Sequence, residues 1–287
     1  ETQLPVLQSK IFEEDQAVTK RVNQFQGEWE AQRPIDGDVA PPAAMQTLSI
    51  FHSQMTVLQE EIQRINDAKS AIGLGDSAFS GASASAVRTS AVNDITVNSI
   101  AEEISDLRSV WTAVSPTFDK LVSLRSTVLL KEGVNPIGIR KQLDGLLDDL
   151  RNMPAQVRSY AAYEGLQTKI SKNMSHQSLL RDLCSDSLKE RHWKLIIKLM
   201  NLPVNTYSYI SELTLGMIWD SNGLSQKKSL AEIMSTAQGE QALQQFIKEM
   251  KEYWNSCELS LVVREGGIRV VTGWDILFSM LEDHMNS

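Results

Sequence analysis

Apolar residues at helical spacing are the feature that most limits what this chain can fold into. They recur in alternating steps of three and four, which places them on one face of a helix. The first such seam contains Val18, Val22, Phe25 and Trp29, and the second contains Leu48, Phe51, Met55, Leu58, Ile62, Ile65 and Ile72, with Lys69 as its polar member. The third contains Val97, Ile100, Ile104, Leu107, Trp111, Val114, Phe118, Leu121 and Val128. Because an apolar helix face needs a partner, the seams predict packed helical bundles.

Proline and glycine divide the first part of the chain into separate helices. Pro34 and Gly37 end the first helix and Pro41 opens the second. A short polar loop between two such helices predicts an antiparallel hairpin over residues 1–75. Residues 76–94 are rich in Ser, Ala and Gly and have no apolar seam, so we expect a flexible connection there.

A second helical bundle is expected over residues 95–173. It contains the third seam and a fourth one made of Ile139, Leu143, Leu146, Leu150, Met153, Val157, Tyr160 and Leu166. Pro116 and Pro154 interrupt these two seams, and proline inside a helix removes a hydrogen bond and clashes with the preceding turn. We therefore expect a kink or a break at Pro116 and a bend at Pro154.

Local helix signals are clearest between Leu179 and Asp220. Ser187 and Glu190 have the spacing of a capping box, in which two side chains satisfy the first backbone N–H groups of a helix. Apolar residues at helical spacing follow, and Pro203 marks the end of that helix.

The last part of the chain combines one long helix with a change to strand character. The helix is indicated by Leu230, Ile233, Ala237, Leu243, Phe246, Ile247, Met250 and Trp254, and Gly239 inside it suggests close helix packing. Two β-branched runs separated by Gly266 and Gly267 then predict a β-hairpin over residues 258–273. The predicted fold is mostly α: an elongated array of antiparallel helical bundles with one small β-hairpin near the C-terminus.

Composition narrows the possible functions. The chain has 287 residues, of which 42% are hydrophobic but only 6% aromatic, a balance typical of helical proteins. A formal net charge of −8 argues against nucleic-acid binding, which needs a basic face. No apolar run is long enough for membrane insertion. Cys184 and Cys257 lack CxxC spacing and are expected to be buried free thiols, in keeping with a reducing cytoplasm. Because the sequence begins with Glu1, we expect it to be part of a longer protein.

Motifs for catalysis, cofactor binding and metal binding are missing from the sequence. There is no phosphate-binding loop of the GxxxxGK[ST] type and no GxSxG nucleophile motif. His52, His176, His192 and His284 never have the spacing of metal ligands. Paired carboxylates such as Asp148 and Asp149 are interpreted as solvated helix faces. We therefore expect no enzymatic activity in these residues.

Motifs in the second half of the chain resemble one family. They are LKERHWK (188–194), ELTLGMIWD (212–220), AQGEQAL (237–243) and GWDILF (273–278). In this order they resemble cytoplasmic dynein heavy chains, in the region where the tail ends and the linker begins. The resemblance is strong from about Ile137 onward. It implies that residues 1–75 belong to the tail or neck and that residues 174–287 form the N-terminal part of the linker.

The function implied by this resemblance is mechanical. The segment would link a cargo-binding tail to an AAA+ ATPase ring and form part of the lever for minus-end-directed motility on microtubules in the cytoplasm. ATP and Mg²⁺ would be bound by the ring and not by these residues. Implied partners are the ring itself, a second heavy chain, dynein intermediate and light intermediate chains, and dynactin. Two alternatives stay open: an axonemal dynein linker and a static spectrin-like scaffold.

Several residues are candidates for a structural or mechanical role. They are His192, Trp193, Trp219, Gly239, Trp254, Gly273 and Trp274. His192 and Trp193 could form a contact that senses linker position, or Trp193 could anchor helix packing while a neighbour satisfies His192. We favour the packing interpretation for both, and for the other three tryptophans, because a large aromatic ring contributes most through burial.

Overall fold

The computed structural model describes residues 4–71, 82–204 and 209–286. Its helices and strands, in chain order, are α1 (Leu4–Gln32), α2 (Pro41–Ala71), α3 (Ala82–Arg125), α4 (Pro136–Arg151), α5 (Ala155–Arg158), α6 (Ala161–Ser175), α7 (Gln177–Leu183), α8 (Glu190–Met200), α9 (Tyr209–Glu212), α10 (Leu215–Asp220), α11 (Lys227–Ser256), β1 (Ser260–Val263), β2 (Arg269–Thr272) and α12 (Trp274–Asn286). The prediction of a mostly helical chain with one small hairpin near its C-terminus is confirmed.

The chain divides into two compact units. The first contains Glu1–Thr127, Val134–Gln177 and Thr214–Gly216, and the second contains Val128–Gly133, Ser178–Leu213 and Met217–Ser287. In the first unit α1, α2 and α3 pack on one another, and α3 also packs on α4 and α6. The seams of the first two helices therefore pair within one chain. Their centre is aromatic, with the rings of Trp29 and Phe51 5.2 Å apart in an edge-on arrangement.

Helix α3 begins earlier than the sequence predicted. It includes residues 82–94, so the flexible connection expected over residues 76–94 is wrong for that part, while residues 76–81 lie outside the described residues. Alanine has the highest helix propensity, and extending an existing helix costs far less than starting one. Asn93, buried in this stretch, donates to Thr19 Oγ1 on α1 at 2.8 Å. The first part of α3 is thus held by the hairpin of α1 and α2.

The two prolines act differently. α3 continues through Pro116 to Arg125, so the break allowed for at this position does not occur. Pro116 is exposed, and the buried face continues past it through Thr117 and Leu121 instead of Phe118. At Pro154 the helix stops instead of only bending as expected, since α4 ends at Arg151 and α5 begins directly after the proline.

The second unit contains the predicted hairpin, which directly precedes α12. β1 and β2 are antiparallel, with Ser260 opposite Thr272 and Val263 opposite Arg269. Gly266 and Gly267 have φ values of +98° and +79°, a left-handed conformation that glycine adopts without steric cost. Among the described residues, no helix combines the length and the apolar character that crossing a bilayer requires.

Candidate functional site

The beginning of α8 differs from the predicted capping box. The helix starts at Glu190 with Lys189 as its N-cap, two positions later than a Ser187 cap requires. Ser187 is buried and its hydroxyl pairs with that of Ser185 at 2.8 Å. The reciprocal part of the box is supplied by His192, whose Nδ1 accepts from the Lys189 backbone N–H at 3.2 Å. An imidazole nitrogen here fills the position that Glu or Gln usually takes.

His192 also connects α8 to α11. Its Nε2 lies 3.2 Å from Glu240 Oε2 on α11 and also 3.4 Å from Arg191 Nε. The guanidinium of Arg191 binds the same Glu240 carboxylate, and Lys189 Nζ donates to the Gln244 side chain one turn further along α11. We call these five residues the α8–α11 cluster.

Charge in the α8–α11 cluster changes the acidity of Glu240. Burial raises the pKa of this carboxyl, but the hydrogen bond from Arg191 and the positive charges of Arg191 and Lys189 outweigh burial and lower the pKa overall. Glu240 is therefore ionised at neutral pH. The Glu240 carboxylate, on α11, accepts a hydrogen bond from the charged side chain of Arg191 in the first turn of α8. The ion pair therefore joins α8 to α11.

The candidate residues around this cluster are in different environments. Trp193, next to His192, is buried, and Trp219 is only 1% exposed. No described residue accepts a hydrogen bond from Trp219 Nε1. The expectation that Gly239 marks close helix packing is wrong, because no atom lies within 4 Å of the position that its Cβ would take. His192 therefore contacts Glu240, the residue that follows Gly239, whereas Gly239 itself faces open space.

The remaining candidates lie around the hairpin and α12. Trp254 Nε1 donates to His284 Nδ1 at 3.2 Å, which joins the end of α11 to α12. Gly273 precedes α12 with a φ of +83°. Trp274 is 50% exposed, so it is not the buried anchor that was expected. Its Nε1 donates to the Val271 carbonyl at 3.0 Å, and its ring stacks on Phe278.

The end of α11, the segment after it and α12 enclose an open groove. It has a volume of about 370 Å³ and is lined by Trp254, Cys257, Leu259, Trp274, Leu277, Phe278 and Leu281. The groove brings Trp254 and Trp274 to one surface. In the same part of the molecule, Leu243 and Ile247 of α11 are exposed although the seam predicted them in a core. The seam identified apolar residues correctly but could not show whether a partner covers them.

Sequence reasoning missed a buried ion pair. Lys69 Nζ lies 2.6 Å from Asp15 Oδ1, and both residues are buried, at 7% and 4% exposure. The signal was present, because Lys69 is the polar member of the second seam and Asp15 lies three residues before Val18, which continues the step pattern of the first seam. Two opposite charges at seam positions of neighbouring helices predict such a pair.

The cysteines and the possible metal ligands support no separate site. Cys184 and Cys257 are free thiols, but they are half-buried, whereas full burial was expected. Burial raises the pKa of the Cys184 thiol. Among the described residues, no three His, Cys, Asp or Glu side chains are grouped so that they could hold a metal ion. The sites predicted to have structural or mechanical roles stay predictions.

Comparison with known proteins gives a consistent result. Residues 97–287 match the model of a family described as dynein heavy chain, N-terminal region 2. The chain is 36% identical over 284 residues to the cytoplasmic dynein heavy chain of Dictyostelium discoideum and 36% identical over 287 residues to that of Drosophila melanogaster. Identity to the Caenorhabditis elegans protein is 33% over 287 residues. These alignments cover 99–100% of this chain and 6% of each relative's length.

Proposed function

The chain belongs to the dynein heavy chain family, and from this premise we propose that it is a non-catalytic mechanical segment of a cytoplasmic dynein heavy chain. It links a cargo-binding tail to an AAA+ ATPase ring and forms part of the linker lever. In this role it transmits movement of the ring to the tail during minus-end-directed motility on microtubules.

The observation that carries the proposal is the match of residues 97–287 to an N-terminal region of the family, away from its ATPase modules. The helical packing supports it. α3 has 44 residues, about 66 Å at the usual rise of 1.5 Å per residue, and packs on α1 and α2 as well as on α4 and α6. Close-packed helices transmit strain because their interiors are hardly compressible.

The context of the whole protein is part of the same proposal. ATP and Mg²⁺ are bound by the ring, and the segment works beside that ring in a homodimer of heavy chains. Intermediate chains, light intermediate chains and dynactin join through the rest of the complex, in the cytoplasm and on microtubules. The relatives reported above are named cytoplasmic, which favours this class over an axonemal linker.

Absence of catalysis is tested directly. The purified chain should release no phosphate from ATP above the buffer rate in the presence of Mg²⁺, because the sequence has no phosphate-binding loop. An intact dynein motor measured in parallel confirms that the assay detects turnover. Phosphate release by the chain alone, persisting through purification, would refute the non-catalytic assignment.

The lever role is tested in a motor that contains this segment. A short Gly-Ser insertion after Lys120 interrupts α3, and the same insertion between Gly266 and Gly267 lengthens an exposed turn as a matched control. We expect the α3 insertion to slow microtubule gliding while the basal ATPase rate of the ring is kept. Equal gliding speeds for the two insertions would favour a static, spectrin-like tether.

A further inference from the structure

The loop between α1 and α2 makes an unusually close contact with α6. A Cβ on Gly165 would lie 2.6 Å from both Cα and the carbonyl carbon of Gly37, and a Cβ on Gly37 would lie 2.9 Å from Gly165 Cα. Real Cβ atoms do not approach backbone atoms this closely. Gly37 is not among the described residues with a positive φ, so space and not backbone conformation requires glycine here.

Hydrogen bonds from two helices hold the same loop. Trp111 Nε1, on α3, donates to the Pro34 carbonyl at 3.0 Å in a buried position. Lys169 Nζ, on α6, donates to the carbonyl oxygens of Gly37 at 3.2 Å and Asp38 at 3.3 Å. The Asp38 carboxylate lies 3.5 Å from Lys169 but is 98% exposed, so the carbonyl contacts matter more than this ion pair.

The position of this loop has a mechanical consequence. The bundle of α1, α2 and α3 and the group of α4 and α6 share α3. A single shared helix could bend where it passes from one to the other, and Pro116, which lacks a backbone N–H, weakens α3 shortly after Trp111. The loop supplies a second connection beside α3. Two connections side by side resist bending much more than one.

We propose that residues 33–40 act as a strut that locks the α1–α3 bundle to α4 and α6, so that the first unit moves as one rigid body. The Gly37–Gly165 contact is the closest point of the strut, and Lys169 and Trp111 fix its path. The proposal concerns the stiffness of the chain itself and holds whether or not the chain works in a motor.

The experiment measures a distance across the proposed joint in the full 287-residue chain. Spin labels are placed on exposed positions of α2 and α4 through Ser53→Cys and Lys141→Cys, in a background that carries Cys184→Ser and Cys257→Ser. Double electron–electron resonance then reports the distribution of distances between the labels. The unmodified joint should give one narrow distribution.

Two variants loosen the strut in different ways. Gly165→Ala adds a methyl group that the Gly37 backbone cannot accommodate, and Lys169→Met removes the two hydrogen bonds that Lys169 donates to the loop without adding bulk. Gly145→Ala is the matched control, because it makes the same change within a helix where no atom lies within 4 Å of the new Cβ.

We expect the distance distribution to broaden or gain a second peak in Gly165→Ala and to broaden in Lys169→Met, with the control unchanged. Far-ultraviolet circular dichroism verifies that each variant keeps its helices. If Gly165→Ala fails to fold, Lys169→Met decides alone. Distributions as narrow as the control's in every variant that folds would overturn the strut.

Discussion

Single residues of the same type contribute very differently in this molecule, and the tryptophans illustrate it. Trp219 is 1% exposed, whereas Trp274 is 50% exposed and stacks on Phe278. What decides the cost of truncation is the surface removed from water and the cavity left behind, not the residue type. The sequence predicted the same packing role for both side chains, because it does not show how deeply each is buried.

Truncation of the two tryptophans should separate them. We expect Trp219→Ala to lower the free energy of unfolding by about 3–5 kcal/mol, the range for large buried side chains. Trp274→Ala should cost about 1–2 kcal/mol, because half of its surface is already in water. Urea denaturation followed by circular dichroism measures both changes. Equal losses for the two variants would show that Trp274 is buried in solution.

Glu240 predicts a dependence of stability on pH. Its pKa is below the usual value of 4.5 in the folded chain, so the folded state holds the ionised form more strongly than the unfolded state. Its contribution to stability is complete above the unfolded pKa and is lost as the pH falls through the lowered folded pKa.

Glu240→Gln removes this contribution. The variant should be less stable than the wild type at neutral pH, and the difference should shrink as the pH falls below the lowered folded pKa, where the carboxyl is protonated in both states. Unfolding midpoints measured along this pH series test the expectation. Glu232→Gln, on the exposed side of the same helix, is the control. A difference that stays constant down to low pH would contradict the proposed charge interaction.

At the scale of elements, the buried Asp15–Lys69 pair has a different role from the apolar seams around it. Apolar seams tolerate sliding by a full repeat, but a buried charge is stable only opposite its partner. The pair therefore specifies the register in which α1 packs against α2. The pair adds little to the free energy of unfolding, since desolvating two charges offsets most of their attraction. Its main effect is to favour one register of α1 against α2 over the others.

Substitution of the pair should show this asymmetry. Lys69→Met leaves the Asp15 carboxylate buried without the 2.6 Å contact, and we expect a loss of about 3–5 kcal/mol. The double variant Asp15→Leu with Lys69→Met should recover most of that loss. Chemical denaturation measures the energies, and light scattering detects any shift to intermolecular pairing. A double variant as unstable as the single one would mean that other contacts of these residues dominate.

The elements also show what periodicity can and cannot predict. The seams of α1 and α2, the hairpin turn and a disturbance of the helix at Pro154 could be predicted from the sequence, because each depends on neighbouring residues. The start of α3 at Ala82 was not, since Asn93 and Thr19 contribute contacts from distant parts of the chain. The α8–α11 cluster was hidden for the same reason: His192 and Glu240 are 48 positions apart, and nothing local marks them as partners.

At the scale of the whole molecule, packing is uneven along the chain. Buried side chains are frequent in α1 to α4 and in α8, whereas β1 is exposed at every position and the second half of α11 has no fully buried residue. Close packing in the first unit suits the transmission of strain. The hairpin region instead presents apolar side chains to the surroundings, together with the open edges of a two-stranded sheet.

This exposed surface predicts self-association of the purified chain. Val263 is 63% exposed and Ile276 is 70% exposed, on β1 and α12 respectively. Contiguous apolar surface and unpaired strand edges both promote association in water. We expect light scattering to show a molar mass that rises with protein concentration, and Val263→Lys combined with Ile276→Lys to suppress the rise. Because neither side chain is in a core, the double variant should unfold at the same urea concentration as the wild type.

Exposed Val57 on α2 provides the control: Val57→Lys should leave the concentration dependence unchanged. A wild-type chain that stays monomeric at all concentrations would show that this surface is covered in solution.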